Sequence, residues 1–253
     1  MPYITDKVVS NLTPNKEVDF LNGAVLLIDK PLGWTSFDVV NKIRFKIKHL
    51  LGIKKIKVGH AGTLDPNATG LLIICTGKLT KEIDSLQAME KIYSGSIFLG
   101  ATTPTYDGES EPDSVFPISH IDDKNVISVS EKFEGTYEQI PPIFSAIKIN
   151  GQKSYDLARR GKEVEMKSRP VTIHSFDITN IDLPEVNFTV RCSKGTYIRS
   201  LAYDFGKALD SGGYLSSLRR EAIGNFTVSG AFTMDEILKY IEQLDISETQ
   251  SDK

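Results

Sequence analysis

Two short apolar runs constrain this chain most: "AVLLI" at 24–28 and "GLLIIC" at 70–75. Both are far too short to cross a bilayer, which takes roughly 20 residues as a helix, and both read as buried strands, the first ending at Lys30-Pro31. Between them, "GWTSFDVVNKIRFKIKHLL" repeats Val40, Ile43, Ile47 and Leu50 at three- and four-residue spacing. That spacing predicts an amphipathic helix capped by Thr35 or Ser36, with its basic residues outside. Buried strands alternating with an amphipathic helix require layers of helix packed on sheet.

The remaining pattern extends that architecture. "KLTKEIDSLQAM" predicts a helix and "KIYSGSIFLGA" (91–101) a strand, while 102–122 is acidic, holds three prolines and reads as a long loop. "VISVSEKFEGT" predicts a short helix. "QIPPIFSAIKINGQKSYDLARRG" (139–161) combines a Pro-Pro break, a short strand, an Asn-Gly turn and a basic helix. It reads as an insertion that grips something, with Lys148, Lys153, Arg159 and Arg160 within reach of one another. "PVTIHSFDITNIDL" and "EVNFTVRCS" predict a hairpin. "GTYIRSLAYDFGKAL" predicts a helix whose core face is Ile198, Leu201, Ala202, Phe205 and Leu209. A strand, "GGYLSSLRREAIGNFTV", and a final helix, "TMDEILKYIEQL", complete the set. The fold class is α+β, with a mixed, largely antiparallel sheet flanked by helices. A chain of 253 residues can bury such a core as one large domain or as two lobes sharing a sheet.

Charge narrows the partner. The net charge is −3, but residues 42–57 hold seven Lys or Arg and no acid, and 147–170 hold seven basic residues against three acidic ones. A basic face on a mildly acidic protein fits a polyanion, and a solvated lysine-rich helix explains the same pattern. The first 20 residues carry charges and two prolines and lack the apolar centre of a signal peptide, so a cytoplasmic location is expected, without a membrane. Cys75 and Cys192 end strand-like stretches and read as buried free thiols; neither they nor the four histidines show metal spacing.

"GHAGTLDPNATG" (59–70) spends three glycines, a histidine and a proline around one acid, Asp65. An Asp-Pro pair commonly opens a turn that the carboxylate caps. Glycine on both sides also allows close approach of a ligand or a second chain, so both readings stand. A second constellation is "CSKGTYIRS" (192–200), where Arg199 falls in the first turn of a helix. The macrodipole disfavours a cation there, which calls for a compensating carboxylate. Were that partner Asp65, its ionised form would be stabilised, suiting a nucleophile rather than a general acid. Tyr93 and Tyr197 lie on a strand and at a strand-to-helix junction, where either can stack on an unstacked base or be partly buried with its hydroxyl at the surface.

Six ordered blocks, "LLIDKPLGWTSFDVV", "GHAGTLDPNATGLLIICTGKLTK", "KIYSGSIFLGATTPTYDGE", "QIPPIFSAIKINGQKSYDLARRG", "CSKGTYIRSLAYDFG" and "LRREAIGNFTV", resemble the bacterial tRNA pseudouridine synthases of the TruB type over about residues 22–235. The resemblance implies the pseudouridine synthase fold, no cofactor and no metal. It implies isomerisation of uridine at position 55 of the TΨC loop, the T arm of tRNA being the partner. It makes Asp65 the catalytic aspartate and Arg199 the arginine that pairs with it. Tyr93 then stacks on the flipped base and assists proton removal, and Tyr197 is a second pocket tyrosine. His60 inserts into the TΨC loop, Leu218 contacts the target nucleotide, and Asp107 tethers Arg199 or its surroundings. Lys30 and Pro31 fall in a block read as structural support. Residues 141–163 match a thumb that closes over RNA, with Lys148, Lys153, Arg159 and Arg160 on the backbone. Residues 1–21 read as an N-terminal extension without counterpart. Residues 236–253 read as a last helix and acidic tail where many relatives continue into a PUA domain. No protein partner is implied, and a monomer is expected.

Overall fold

The computed structural model describes residues 6–12, 17–145, 148–149, 152–154 and 166–244. Its principal elements are β1 (Val25–Lys30), α1 (Ser36–Leu50), β2 (Val58–His60), β3 (Ala68–Thr76), β4 (Lys91–Leu99), α2 (Asp123–Glu131), β5 (Gly135–Gln139), β6 (Arg169–Asp182), β7 (Glu185–Cys192), α3 (Ile198–Ala208), β8 (Gly213–Ile223) and α4 (Met234–Gln243). The chain divides into two compact units, one of residues 1–91 and 219–253, the other of residues 92–218.

In the first unit the strand order is Val8–Val9, β1, β3 and the Arg219–Ile223 end of β8, with β2 also on β3. β1 and β3 pair antiparallel, Val25 opposite Cys75 and Lys30 opposite Gly70. Their unbroken apolar sequence has a simple cause: both faces are covered. Leu26, Ile28, Leu72 and Ile74 pack with Val39, Val40, Ile43 and Ile47 of α1 and with Ile237 and Ile241 of α4. The alternate residues, Val25, Leu27, Leu71, Ile73 and Cys75, pack on the other side with Ala61, Leu86 and Ile223. Thr35 caps α1 in a reciprocal box with Asp38, and Thr233 caps α4 in the same way with Glu236.

The second unit orders its strands as the Gly213–Leu218 end of β8, β4, β7, β6 and β5. β6 and β7 form the predicted antiparallel hairpin, closing at Asp182 opposite Glu185. Its core is aromatic: Phe176 lies edge-on to Phe188 and Phe205 at centroid distances of 5.6 and 5.3 Å, with Phe133 alongside. The predicted core face of α3 is the one buried.

Several expectations change in detail. The helix forecast from Gly195 begins at Ile198, and 102–122 contains a short strand, Ser114–Val115, paired with Ala101–Thr102. The strand forecast through 212–228 breaks at Gly224, whose φ of +53° turns the chain so that Phe226–Thr227 pair back on Ala222–Ile223. Within 1–21, Val8–Val9 pair in parallel with β1 and Phe20 is buried, so part of that stretch belongs to the first unit's core. Cys75 and Cys192 are buried thiols outside any disulfide. Among the described residues no helix is long and apolar enough to cross a membrane. The basic helix expected over 155–161 lies outside the described residues.

Candidate active site

In the first unit Asp65 sits between β2 and β3, on a loop tied down through its backbone. Ala68 N–H donates to Asp65 O (3.1 Å), closing a turn around Pro66 and Asn67. Ser36, the first residue of α1, donates its hydroxyl to Leu64 O (3.0 Å) and accepts from Leu64 N–H (2.8 Å). Gly33, at a φ of +80°, donates its N–H to Pro66 O (2.9 Å). Lys30 is fully buried, and its Nζ donates to Pro31 O (2.9 Å), Trp34 O (2.6 Å) and, more distantly, Pro66 O (3.4 Å). These ties hold the turn on both sides while the Asp65 residue itself stays exposed. The loop presents a carboxylate; it does not bury one.

Two buried cations lie beneath it. Arg220 is 1% exposed and donates Nε to Leu71 O (2.7 Å) and Nη2 to Gly62 O (3.0 Å). Backbone passes so close that a Cβ at Gly70 would stand 2.3 Å from Arg220 O, and Gly70 has a φ of +99°, so glycine is required there. Burial pushes the Lys30 ammonium down to about 8, with Asp65 pulling it up and Arg220 pushing it further down. Burial also lowers the pKa of His60, helped by Arg220 and opposed by the Gly62 backbone, which keeps its imidazole neutral near pH 7. His60 Nδ1 is buried and finds no hydrogen-bond partner among the described residues.

Ser36→Ala removes both bonds to Leu64 and leaves a buried N–H unmatched. We expect a stability loss of about 1–3 kcal/mol in denaturant unfolding, together with reduced turnover as the Asp65 turn loosens.

In the second unit the functional candidates gather at the start of α3. Gln139, fully buried at the end of β5, accepts from Tyr197 N–H (2.8 Å) and donates Nε2 to Tyr197 O (3.0 Å) and Tyr137 Oη (2.7 Å). Ser200 donates its hydroxyl to Ile140 O (2.7 Å). Arg199 is 8% exposed; Nη1 donates to Thr105 O (3.1 Å) and Nη2 to Phe144 O (2.9 Å). A carboxylate demanded by a cation at the wrong helix end is present within this unit: Asp107 Oδ2 lies 3.4 Å from Arg199 Nη1. Asp107 is itself oriented, because Oδ1 accepts from Thr105 Oγ1 (2.6 Å) and Glu109 N–H (3.1 Å). Its resemblance-based role as a tether for Arg199 matches this geometry.

Tyr93 is buried on β4, and Tyr197 is half-buried with the Arg169 guanidinium 6.0 Å from its ring centroid. Leu218, half-buried, is the last residue of this unit on β8. Lys148 and Lys153 face each other in register on a two-stranded ribbon, 148–149 against 152–153; their side chains, and Arg159 and Arg160 altogether, lie outside the described residues. Among the described residues, no three His, Cys, Asp or Glu gather as a metal site would require.

Sequence reasoning overlooked Arg220 and Gln139, read Ser36 only as a candidate helix cap and gave Lys30 only a general supporting role. Arg220, Gln139 and Ser36 act on backbone groups distant in the chain, whereas Lys30 bonds chiefly to the nearby Pro31 and Trp34 carbonyls and reaches a distant one only at Pro66. The signal that could have found Arg220 is its position in "SLRREAI", where β-alternation turns one of the two arginines inward.

Comparison with known proteins identifies the family. Residues 48–198 match the model of the TruB family pseudouridylate synthase N-terminal domain. The sequence is 55% identical to tRNA pseudouridine synthase B of Flavobacterium johnsoniae, over 84% of this chain and 93% of that protein. It is 50% identical to the protein of the same name from Parabacteroides distasonis, over 89% and 96%. Among solved structures, a chain of a Cbf5-Nop10-Gar1 complex superimposes with a TM-score of 0.67 at 28% identity, covering 90% of this chain and 57% of that one. A chain of an H/ACA RNP bound to a substrate RNA containing 2′-deoxyuridine gives a TM-score of 0.62 at 26% identity, covering 87% and 54%. This chain therefore spans nearly the whole length of the two bacterial relatives and little more than half of the two structural ones.

Proposed function

This chain belongs to the TruB family of pseudouridylate synthases, has their α+β fold and isomerises uridine in tRNA to pseudouridine; from that premise we propose that its target is uridine 55 of the TΨC loop and that Asp65 carries the chemistry. The observation that supports this reading best is the Asp65 turn, whose exposed carboxylate is held by backbone ties to Ser36, Gly33 and Lys30. A reacting group held on rigid elements contributes by proximity and orientation.

In this reading the N1–C1′ bond of the target breaks, the uracil turns, and C5 bonds to C1′ while the C5 proton leaves and N1 gains one. Atoms balance without oxidant or reductant. Asp65 acts as nucleophile, at C1′ or on the base, or as base for the 2′-proton. Arg199 supports its charge, and Asp107 and the carbonyls of Thr105 and Phe144 orient that guanidinium. The target base must leave its stack at a cost of a few kcal/mol. Stacking on Tyr93, enclosure by Tyr197 and Leu218, and the neutral His60 ring in the vacated place offset that cost. Lys148, Lys153, Arg159 and Arg160 meet the RNA backbone. The protein works as a monomer.

The test is incubation of the purified protein with an unmodified tRNA transcript, followed by carbodiimide mapping. One new pseudouridine at position 55 is expected. Modification confined to other positions would overturn the assignment of the target.

A further inference from the structure

A second charged surface lies on the first unit at the far end of α1. After Leu50 the chain doubles back: Ile53 N–H donates to Lys48 O (3.2 Å), and Gly52 takes a φ of +63°. The returning segment is tied down where Lys57 O accepts from Gly77 N–H (2.9 Å). Arg44, expected outside, is half-buried and bridges inward, donating to Asn41 Oδ1 (2.7 Å) and Val58 O (2.8 Å). The result is an open cleft of about 470 Å³ lined by Arg44, Lys48, Lys54, Lys55, Ile56 and Lys57.

Five of those six side chains are cations, and no acid occurs anywhere in 42–57. Among the described residues, Lys48, Lys54, Lys55 and Lys57 have no carboxylate partner, whereas Lys46, outside the cleft, is paired with Glu242. Like charges gathered on a fixed backbone repel one another, and an anion in the cleft relieves that repulsion. The cleft is open, several times the size of a single phosphate, and Lys54, Lys55 and Lys57 are exposed in it. Such a shape suits consecutive phosphates of a strand better than one enclosed ion.

Resting on the RNA-modifying reading above, we propose that this cleft is a phosphate-binding track for the tRNA sugar–phosphate backbone, reading charge and not sequence and lying outside the base-flipping machinery. A track of this kind positions RNA without specifying bases.

The test compares Lys48→Gln/Lys54→Gln/Lys55→Gln/Lys57→Gln with a control of equal charge change, Lys81→Gln/Lys124→Gln/Lys132→Gln/Lys239→Gln, all four exposed or partly so. Binding of fluorescein-labelled tRNA transcript to the full chain is followed by polarisation from about 50 to 200 mM salt. The cleft variant is expected to weaken binding by about tenfold or more at the higher salt. It should also reduce the slope of log K against log salt by about one for each phosphate that the cleft no longer neutralises. Lys55→Gln alone should lower that slope by about one, which keeps the test usable should the quadruple variant fold poorly. An isotherm and slope that match the control would overturn the proposal. Tripolyphosphate bound in the cleft while the variant's tRNA isotherm stays unchanged would overturn it too, by making the site one for small anions. Pseudouridine formed by the unaltered protein is measured in parallel. Failure of the isomerase reading then shows up as absent product, and failure of the cleft as unchanged binding.

Discussion

Asp65→Asn is expected to abolish pseudouridine formation, with a fall of at least about a thousandfold in single-turnover rate, while tRNA affinity stays within a few fold. The amide is nearly the same size as the carboxylate but is neither a nucleophile nor a base. The loop has little reason to move: its position depends on the backbone of Leu64, Asp65 and Pro66, none of which the substitution alters. Mass spectrometry of the product RNA measures the first quantity and polarisation the second. A normal pseudouridine yield from this variant would remove Asp65 from the mechanism. The pair of measurements also separates catalysis from RNA folding. A chaperone using the same surfaces would be indifferent to the loss of one carboxylate and would still remodel the T arm.

Arg199→Lys is expected to lower kcat by about a hundredfold, with a smaller effect on KM. Charge is conserved, so a purely electrostatic role would predict a mild phenotype. Geometry predicts a severe one. The guanidinium reaches Thr105 O and Phe144 O through different nitrogens while Asp107 lies beside the first. A single ammonium nitrogen cannot span those positions. At least one buried carbonyl then loses its donor, so a stability loss of about 1–3 kcal/mol should accompany the kinetic one. Single-turnover kinetics together with denaturant unfolding check both. A variant with wild-type kcat would show that Arg199 serves only to anchor α3.

Much of this architecture is legible from residue order because the signals are local. Continuous apolar runs mark strands covered on both faces, and the Thr35–Asp38 and Thr233–Glu236 boxes mark helix starts. The face of α3 that packs inward can be read from spacing alone, and so can the demand for an acid beside Arg199. What could not be read are bonds between buried polar side chains and distant backbone. Lys30 reaches Pro66 O, Arg220 reaches Gly62 O and Gln139 meets both backbone groups of Tyr197, in loops that have no sequence signature as partners. A lysine, arginine or glutamine is ordinarily a surface residue, so residue type alone assigns these three to the wrong environment. Arg44 is the same error in milder form, a helix-surface cation by periodicity that folds inward to reach Val58 O.

The buried cations carry an implication for engineering. Lys30 and Arg220 are charges held in the interior by backbone carbonyls, an arrangement that is costly relative to apolar packing of similar volume. Replacing either with methionine or leucine removes that cost but leaves carbonyls such as Trp34 O, Leu71 O or Gly62 O without a donor, at about 1–3 kcal/mol for each buried group. Those same side chains hold the loop on which Asp65 stands, so whatever the change does to the melting temperature would come with a misplaced carboxylate. Any campaign to harden this protein has to score product alongside melting temperature.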